Sequence, residues 1–303
     1  MNTRSLFTGI STFACCALIA GETVGAGITT KTEVYATRGE RKLEIHLHFP
    51  EGWKAEDKRS GIIFFFGGGW SNGSPEQFLK QAEYLASRGM VAARADYRVK
   101  SRDGVTPDDC VRDARSAMRW MKKNASRLGL DPKKIVASGG SAGGHLAACM
   151  MIEDSIDAPD DDLTISTIPA AMILFNPVMS FEPPELSKRI GNRDELVRKI
   201  SPNAHINKST PPSLILFGSE DRLIALADPY WQKAEELGVR AEKYIAEGQG
   251  HGFFNKSPWL ERTLIAADKF LVSLGLLEGA PALKDPSIEQ GGGGDATSRR
   301  AAP

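Results

Sequence analysis

The stretch that most constrains what this 303-residue chain can become is Ile135-Val136-Ala137-Ser138-Gly139-Gly140-Ser141-Ala142-Gly143-Gly144. A short apolar run enters G-x-S-x-G and leaves through His145-Leu146-Ala147-Ala148-Cys149-Met150-Met151, a segment compatible with a helix. Strand, sharp turn and helix with a serine at the tip make the pattern of a nucleophile elbow, with Ser141 as the candidate nucleophile. Such a turn holds its serine in a strained backbone conformation, and side chains two positions to either side would collide with the neighbouring strand and helix. Gly139 and Gly143 stand at those two positions. The chain has 30 glycines, so the bare pattern is weak by itself and its surroundings must decide.

The surroundings supply two partners, in the chain order serine, acid, histidine that a sheet with this elbow uses. Pro212-Ser213-Leu214-Ile215-Leu216-Phe217-Gly218 reads as a buried strand, and Ser219-Glu220-Asp221 follows at its C-terminal end, where a triad acid sits. A second short strand, Lys243-Tyr244-Ile245-Ala246, leads into Glu247-Gly248-Gln249-Gly250-His251-Gly252-Phe253, which puts His251 on a glycine-flanked loop. A lone histidine is usually a surface or core residue. One placed after the last strand, between glycines and in this order, is a much narrower coincidence.

Upstream, Gly61-Ile62-Ile63-Phe64-Phe65-Phe66-Gly67-Gly68-Gly69-Trp70 is a hydrophobic strand opening into three glycines, whose backbone N–H groups can face a developing oxyanion. With these four motifs the chain resembles the α/β-hydrolases, and among them the small esterases that include hormone-sensitive-lipase-like enzymes, acetylxylan esterases and kynurenine formamidases. In that group the strand ends in H-G-G-G-W or a close variant, and here Phe66 stands where histidine is usual. The resemblance runs from about Gly61 to Phe270. It implies a Ser141, His251 and Asp221 triad and an oxyanion hole made by the N–H groups of Gly68, Gly69 and Ala142. Asp221 is preferred to Glu220 because Gly218-Ser219-Glu220-Asp221-Arg222-Leu223-Ile224 is similar to the family pattern of a glycine, two variable residues, the aspartate and an apolar pair. The histidine replaced at Phe66 helps to hold the glycine loop by hydrogen bonding, so a phenylalanine has to hold it by packing.

Length and a 41% hydrophobic content suit one large α/β domain. The 38 basic and 38 acidic residues balance and are dispersed, which argues against an electrostatic surface for nucleic acid or anionic lipid. Residues 1–26 read as a signal peptide: Arg4 in a short leading region, an apolar stretch from Leu6 to Ala20, and Val24-Gly25-Ala26 as a small-residue cleavage site. A secreted or periplasmic protein with no membrane attachment after cleavage is expected. An uncleaved anchor fits less well, because the apolar run is interrupted by Thr8, Gly9, Ser11 and Thr12, and Phe13-Ala14-Cys15 is a poor lipoprotein signal. Cys110 and Cys149 remain after cleavage; a disulfide is conceivable, and two buried thiols are the simpler reading. No metal-ligand spacing joins the cysteines and histidines, and His46 and His48 fit ordinary strand patterning. No cofactor or metal is expected, and nothing in the sequence sets an oligomeric state.

The remaining elements follow from pattern. Lys31 to Pro50 alternates as a hairpin with a turn at Arg38-Gly39-Glu40. Ser74-Pro75-Glu76-Gln77 has the form of an N-cap, a proline at the first helical position and a capping-box partner, opening a helix that runs to Arg88. Met90 to Tyr97 reads as a strand. Thr106-Pro107-Asp108-Asp109 opens another helix, whose Val111, Ala114, Met118, Met121, Ala125 and Leu128 share one core face. Strands alternating with capped helices imply an α/β fold, a mostly parallel sheet with helices on both faces. The segment between the strand at Ala170-Phe175 and the one at Leu214 has only one helical stretch, Asp194 to Ile200, so any cap is small. The hydrolase domain is expected over 27–278, ending in a helix from about Trp259 to Leu274, with a disordered tail over 279–303.

The resemblance implies a serine carboxylesterase. Acetylated carbohydrates such as acetylated xylan are the favoured substrate, since Ser141-Ala142-Gly143-Gly144-His145-Leu146-Ala147 is closer to acetylxylan-esterase-like and formamidase-like members than to lipase-like ones, which carry aspartate at the position of Gly140. An export signal fits a substrate outside the cell, and a small cap leaves too little chain for a deep acyl tunnel. Trp70 is expected to offer a face on which a sugar ring or aromatic alcohol stacks, the alternative being that it anchors the loop. A lipase-like esterase and a formamidase-type amidase use the same machinery. A hydrolase-like binding module without catalysis is the contrary reading, and Phe66 alone favours it.

Overall fold

Residues 27–286, which the computed structural model describes, build one eight-stranded sheet in the order β1-β2-β4-β3-β5-β6-β7-β8. The chain opens with the expected hairpin, β1 (Thr29–Arg38) and β2 (Arg41–Phe49), then runs through β3 (Arg59–Phe65), helix α1 (Leu79–Ser87) and β4 (Val91–Ala95). A single turn, α2 (Lys100–Asp103), precedes the long α3 (Pro107–Lys123), which is followed by β5 (Leu130–Gly140), α4 (Ala142–Ala148) and β6 (Met172–Phe175). Two short helices, α5 (Pro184–Ser187) and α6 (Asp194–Lys199), lie in the insert before β7 (Ser213–Gly218). The last elements are α7 (Asp228–Leu237), β8 (Ala241–Ala246) and α8 (Trp259–Ser273). β1, β2 and β4 pair antiparallel, and every pairing from β4–β3 to β7–β8 is parallel. This is the α/β-hydrolase architecture that the motifs implied.

The central strands are apolar on both faces because helices cover both. In β3, Ile63 and Phe65 join the core under α3, α4 and α7, whereas Ile62 and Phe64 join the one under α1 and α8. β1, at the antiparallel edge, alternates between exposed and covered positions. α3 buries Val111, Ala114, Met118 and Met121 as its periodicity predicts, and Thr106 and Asp109 form its capping box. Its other side is also covered: Asp113, fully buried, accepts from Arg38 (3.2 Å) and Arg98 (2.8 Å), and Arg115 and Arg119 both reach Asp157 at 2.6 Å. Buried charges persist only when paired and hydrogen-bonded in this way.

Two expectations change on contact with the structure. Ser74 makes no side-chain cap; the segment starts as a 3-10 turn, Pro75–Phe78, and the Gln77 side chain turns away to the glycine loop. The folded domain does not end at 278. Residues 279–286 are held by Arg88 Nη2 on the Gly279 carbonyl (3.2 Å), by the Ala282 N–H on Tyr84 Oη (3.2 Å) and by the Arg262–Asp285 pair (3.1 Å). The rest of the expected tail and the expected signal peptide lie outside the described residues. Cys110 and Cys149 are free, buried thiols, and Cys110 donates to the Arg98 carbonyl at 3.1 Å. His48 accepts from Arg94 Nε at 3.0 Å and His46 meets Thr32 Oγ1 at 2.9 Å, so both strand histidines serve the sheet. Among the described residues no helix is long and apolar enough to cross a membrane.

Candidate active site

The elbow is built by close approach of backbone to backbone. β5 delivers Ser141 in the left-handed region, at φ 54° and ψ −117°, immediately before α4. Its N–H donates to the Phe175 carbonyl at 2.8 Å, and its carbonyl accepts from the His145 N–H at 3.0 Å. A Cβ on Gly143 would stand 2.0 Å from the Phe65 carbonyl oxygen and 2.4 Å from that of Phe66, so no side chain fits there. The strain at a non-glycine positive φ costs on the order of 1–3 kcal/mol, and packing of this density is what sustains it.

His251 and Asp221 arrive from the ends of β8 and β7. His251 Nε2 lies 2.8 Å from Ser141 Oγ, and its Nδ1 lies 2.7 Å from Asp221 Oδ2. The carboxylate of Asp221 is almost wholly buried, and its other oxygen accepts the Leu223 N–H at 2.9 Å. With Nδ1–H given to Asp221, Nε2 is left as an acceptor facing the serine hydroxyl, the tautomer a general base requires. Glu220 points to solvent and contributes only its N–H, to the Gln249 carbonyl at 2.9 Å. The geometry thus brings Ser141, His251 and Asp221 together and leaves Glu220 out.

The glycine loop lies against the elbow: a Cβ on Gly67 would stand 2.9 Å from the Gly140 carbonyl and 3.4 Å from Ser141 Cβ. Gly68 and Gly69, with φ of 120° and 61°, turn the chain beside Ser141, and Ala142 opens α4 directly after it. Phe66 replaces the usual histidine by stacking on Tyr97, ring centroids 4.0 Å apart, while Tyr97 Oη donates to the Phe66 carbonyl at 2.6 Å. Burial pushes the Tyr97 hydroxyl well above its ordinary pKa, which keeps it a donor.

Trp70 does not offer the expected stacking face. Its positive φ of 57° turns the ring inward, where it is 3% exposed. It packs on His145 (5.3 Å between centroids) and Phe181 (5.0 Å) and is covered by the Arg189 guanidinium at 5.6 Å. Trp70 anchors the loop from below. His145 is itself buried, gives Nε2 to the Ile200 carbonyl at 2.7 Å, and is pushed down to a pKa of about 4 by burial, so it is neutral at pH 7.

Four site residues carry no signal in the motifs. Arg189, from the insert, donates to the Gly69 carbonyl at 2.9 Å. Gln77 accepts the Gly67 N–H at 2.6 Å. Tyr97 follows β4 with its hydroxyl on the loop. Asn176, buried after β6 at φ 36°, accepts the Gly252 N–H at 3.2 Å and lies 3.4 Å from His251 Nε2. Only Asn176 was findable, since an asparagine-proline pair ending an apolar strand marks a turn that tolerates positive φ.

A family model, BD-FAE, matches residues 45–230. The chain belongs to the BD-FAE family. It is an α/β-hydrolase of the serine-esterase type, and the solved structures it resembles agree. Thermogutta terrifontis esterase 2, phosphoramylated by tabun, is 44% identical with a TM-score of 0.78, over 82% of this chain and 96% of that one. The same esterase with propionate bound is 43% identical over the same shares, also with a TM-score of 0.78. Among curated proteins, a probable isoprenylcysteine alpha-carbonyl methylesterase of Arabidopsis thaliana is 24% identical over 72% of this chain and 50% of its own. This BD-FAE chain spans about half the length of the curated relatives it matches.

Proposed function

We propose that this chain is a carboxylic ester hydrolase acting on short-chain, chiefly acetyl, esters of small molecules and carbohydrates outside the cytoplasm. The observation that carries the reading is the continuous hydrogen-bonded line from Ser141 Oγ through His251 to a buried Asp221, at 2.8 and 2.7 Å. Ser141 Oγ attacks the ester carbonyl carbon as His251 Nε2 takes the hydroxyl proton, and Asp221 stabilises the imidazolium. The negative oxygen of the tetrahedral intermediate turns to the N–H groups of Gly68, Gly69 and Ala142, worth about 3 kcal/mol for each donor that strengthens in the transition state. The bond to the alkoxy oxygen breaks, His251 gives that oxygen its proton, and the alcohol leaves an acyl-Ser141. Water then attacks with His251 again as base, releasing the acid and returning the proton to Ser141.

The small insert favours short acyl groups, and the resemblance to an esterase solved with propionate bound supports that size. An open cleft of about 430 Å³ adjoins His251 and is walled by Phe253, Pro258 and Trp259, but its lining includes neither Ser141 nor the glycine loop, so the open alcohol side rests on the small insert. The signal-like residues 1–26 favour export and hence polysaccharide esters. The test is an acyl-length series of p-nitrophenyl esters run beside acetylated xylan and N-formylkynurenine. Catalytic efficiency is expected to peak at acetyl or propionyl and to fall steeply by octanoyl, with acetate released from the xylan. A maximum at long chains makes the protein a lipase, and formamide turnover without acetate release makes it an amidase.

A further inference from the structure

We propose that Gln77, seated on Asn255, is a positioning residue that locks the glycine loop to the histidine loop and so sets the oxyanion donors against the base. The inference rests on the reading that the loop after Gly67 binds the oxyanion. The two loops come from opposite ends of the chain, yet a directional line of hydrogen bonds joins them. Gly67 N–H donates to Gln77 Oε1 (2.6 Å), Gln77 Nε2 to Asn255 Oδ1 (3.1 Å), and Asn255 Nδ2 to the Gly252 carbonyl (2.8 Å). Gly252 adjoins His251, and its own N–H goes to Asn176 Oδ1 at 3.2 Å.

The direction of this line is forced. A backbone N–H can only donate, so the oxygen of Gln77 must face Gly67, which aims its NH2 at Asn255 and obliges Asn255 to present its oxygen. The last donor then meets a backbone carbonyl, which can only accept. Every amide group in the line is matched, and such chains strengthen one another. Neither side chain is deeply buried: Gln77 is half-buried and Asn255 exposed. Fold stability therefore gives little reason for the arrangement. What it fixes is the distance between the entrance of the glycine loop and the residue after the base, where Phe66, lacking a ring donor, can hold only one side.

The experiment compares Gln77→Leu, Gln77→Glu and the double variant Gln77→Leu with Asn255→Leu on p-nitrophenyl acetate, with thermal melts of each. Gln77→Leu is expected to lower kcat about tenfold or more while KM stays within about twofold, the mark of an interaction made mainly in the transition state. Affinity for methylboronic acid, which mimics the tetrahedral intermediate, should fall by the same factor, and inhibition by acetate should not change. Gln77→Glu keeps the acceptor for Gly67 but sets a carboxylate oxygen against Asn255 Oδ1, and turning the Asn255 amide over would only set that oxygen against the Gly252 carbonyl, so kcat should recover in part and stay below wild type. The double variant should be no slower than Gln77→Leu beyond about twofold, since the two side chains act as one unit. An unchanged kcat in Gln77→Leu overturns the proposal, as does a loss that follows the melting temperature and is not recovered at all by Gln77→Glu. If wild-type protein does not turn over the ester, or Ser141→Ala does, the esterase reading itself fails and takes the positioning role with it.

Discussion

The elbow and the glycine loop lie against one another but are held in place by different means. Ser141 is fixed by its own neighbours in sequence and by main-chain contacts, with the Phe175 carbonyl on its N–H and the Phe65 carbonyl pressed on Gly143. The glycine loop has close main-chain contacts too, with a Cβ on Gly68 falling 2.2 Å from the Asn72 carbonyl oxygen, but it leans in addition on side chains from elsewhere: Tyr97 on the Phe66 carbonyl, Gln77 on Gly67 and Arg189 on the Gly69 carbonyl. A backbone-built site tolerates no substitution and needs no partners. A side-chain-built site can lose a histidine at position 66, because its support is divided among several residues.

The sharpest break falls on the elbow. Ser141→Ala should lower kcat by about 10^6 and Asp221→Asn by about 10^4, both with circular dichroism unchanged, because the fold does not depend on the reacting atoms. Near-normal turnover in Asp221→Asn together with an inactive Glu220→Gln would return the acid's role to Glu220.

Next comes the contrast between glycines. Gly143→Ala puts a methyl into two backbone carbonyls that cannot step aside, and should cost about 3 kcal/mol or more of stability. Gly69→Ala meets only the Arg189 Nη1, 3.3 Å away at the end of a flexible side chain, at a φ of 61°. The left-handed strain there is about 1–2 kcal/mol. Urea unfolding of the two variants measures the difference, and equal losses would mean that the loop is as rigidly built as the elbow.

The same contrast explains what the sequence disclosed. Ser141, the carboxylate after β7 and His251 were legible because each sits at a strand end in a short motif whose glycines report local geometry. The turn that Gly68 and Gly69 make at positive φ was legible for the same reason. Gln77 was not: its position three residues after a serine made a capping pattern, and only the tertiary fold shows Gly67 competing for its oxygen and winning. Trp70 was left between a stacking face and a loop anchor for the same reason, since nothing local reveals that its ring packs under the loop on His145 and Phe181. Arg189, 120 residues from Gly69 in sequence, left no mark at all. Residues that act through the fold are invisible to spacing, whereas residues that shape their own turn are not.

A smaller effect distinguishes the two regions by pH. His145, on the elbow helix, has an Nδ1 without a partner and is surrounded by Trp70, Phe181 and Cys149. Its ring titrates at about 4 when folded, against the ordinary 6.5. Between those values the unfolded chain takes up a proton that the folded one refuses. The contribution to stability is therefore whole above about pH 6.5 and is lost as the pH falls to about 4, to an extent of about 3 kcal/mol. Urea unfolding from pH 7 to 4 should show the wild type falling more steeply than His145→Gln by about one proton, and identical slopes would exclude His145 as the source.

The smallest effect tests whether the missing histidine matters. Phe66 is 1% exposed and lies between Tyr97 and the backbone of Gly73, where an added Cβ would be 2.5 Å from its ring. Phe66→His keeps the Tyr97 bond, which goes to the main chain, but replaces a filled apolar slot by a smaller ring with nitrogens to satisfy. It should cost about 1–2 kcal/mol of stability and change kcat by less than about fivefold. A large gain in kcat would show that the loop had been loosely held and that Tyr97 and Gln77 do not replace the histidine. A negligible change in kcat with a lower melting temperature would show that position 66 now serves packing alone, with the placement of the oxyanion donors passed to residues outside the motif.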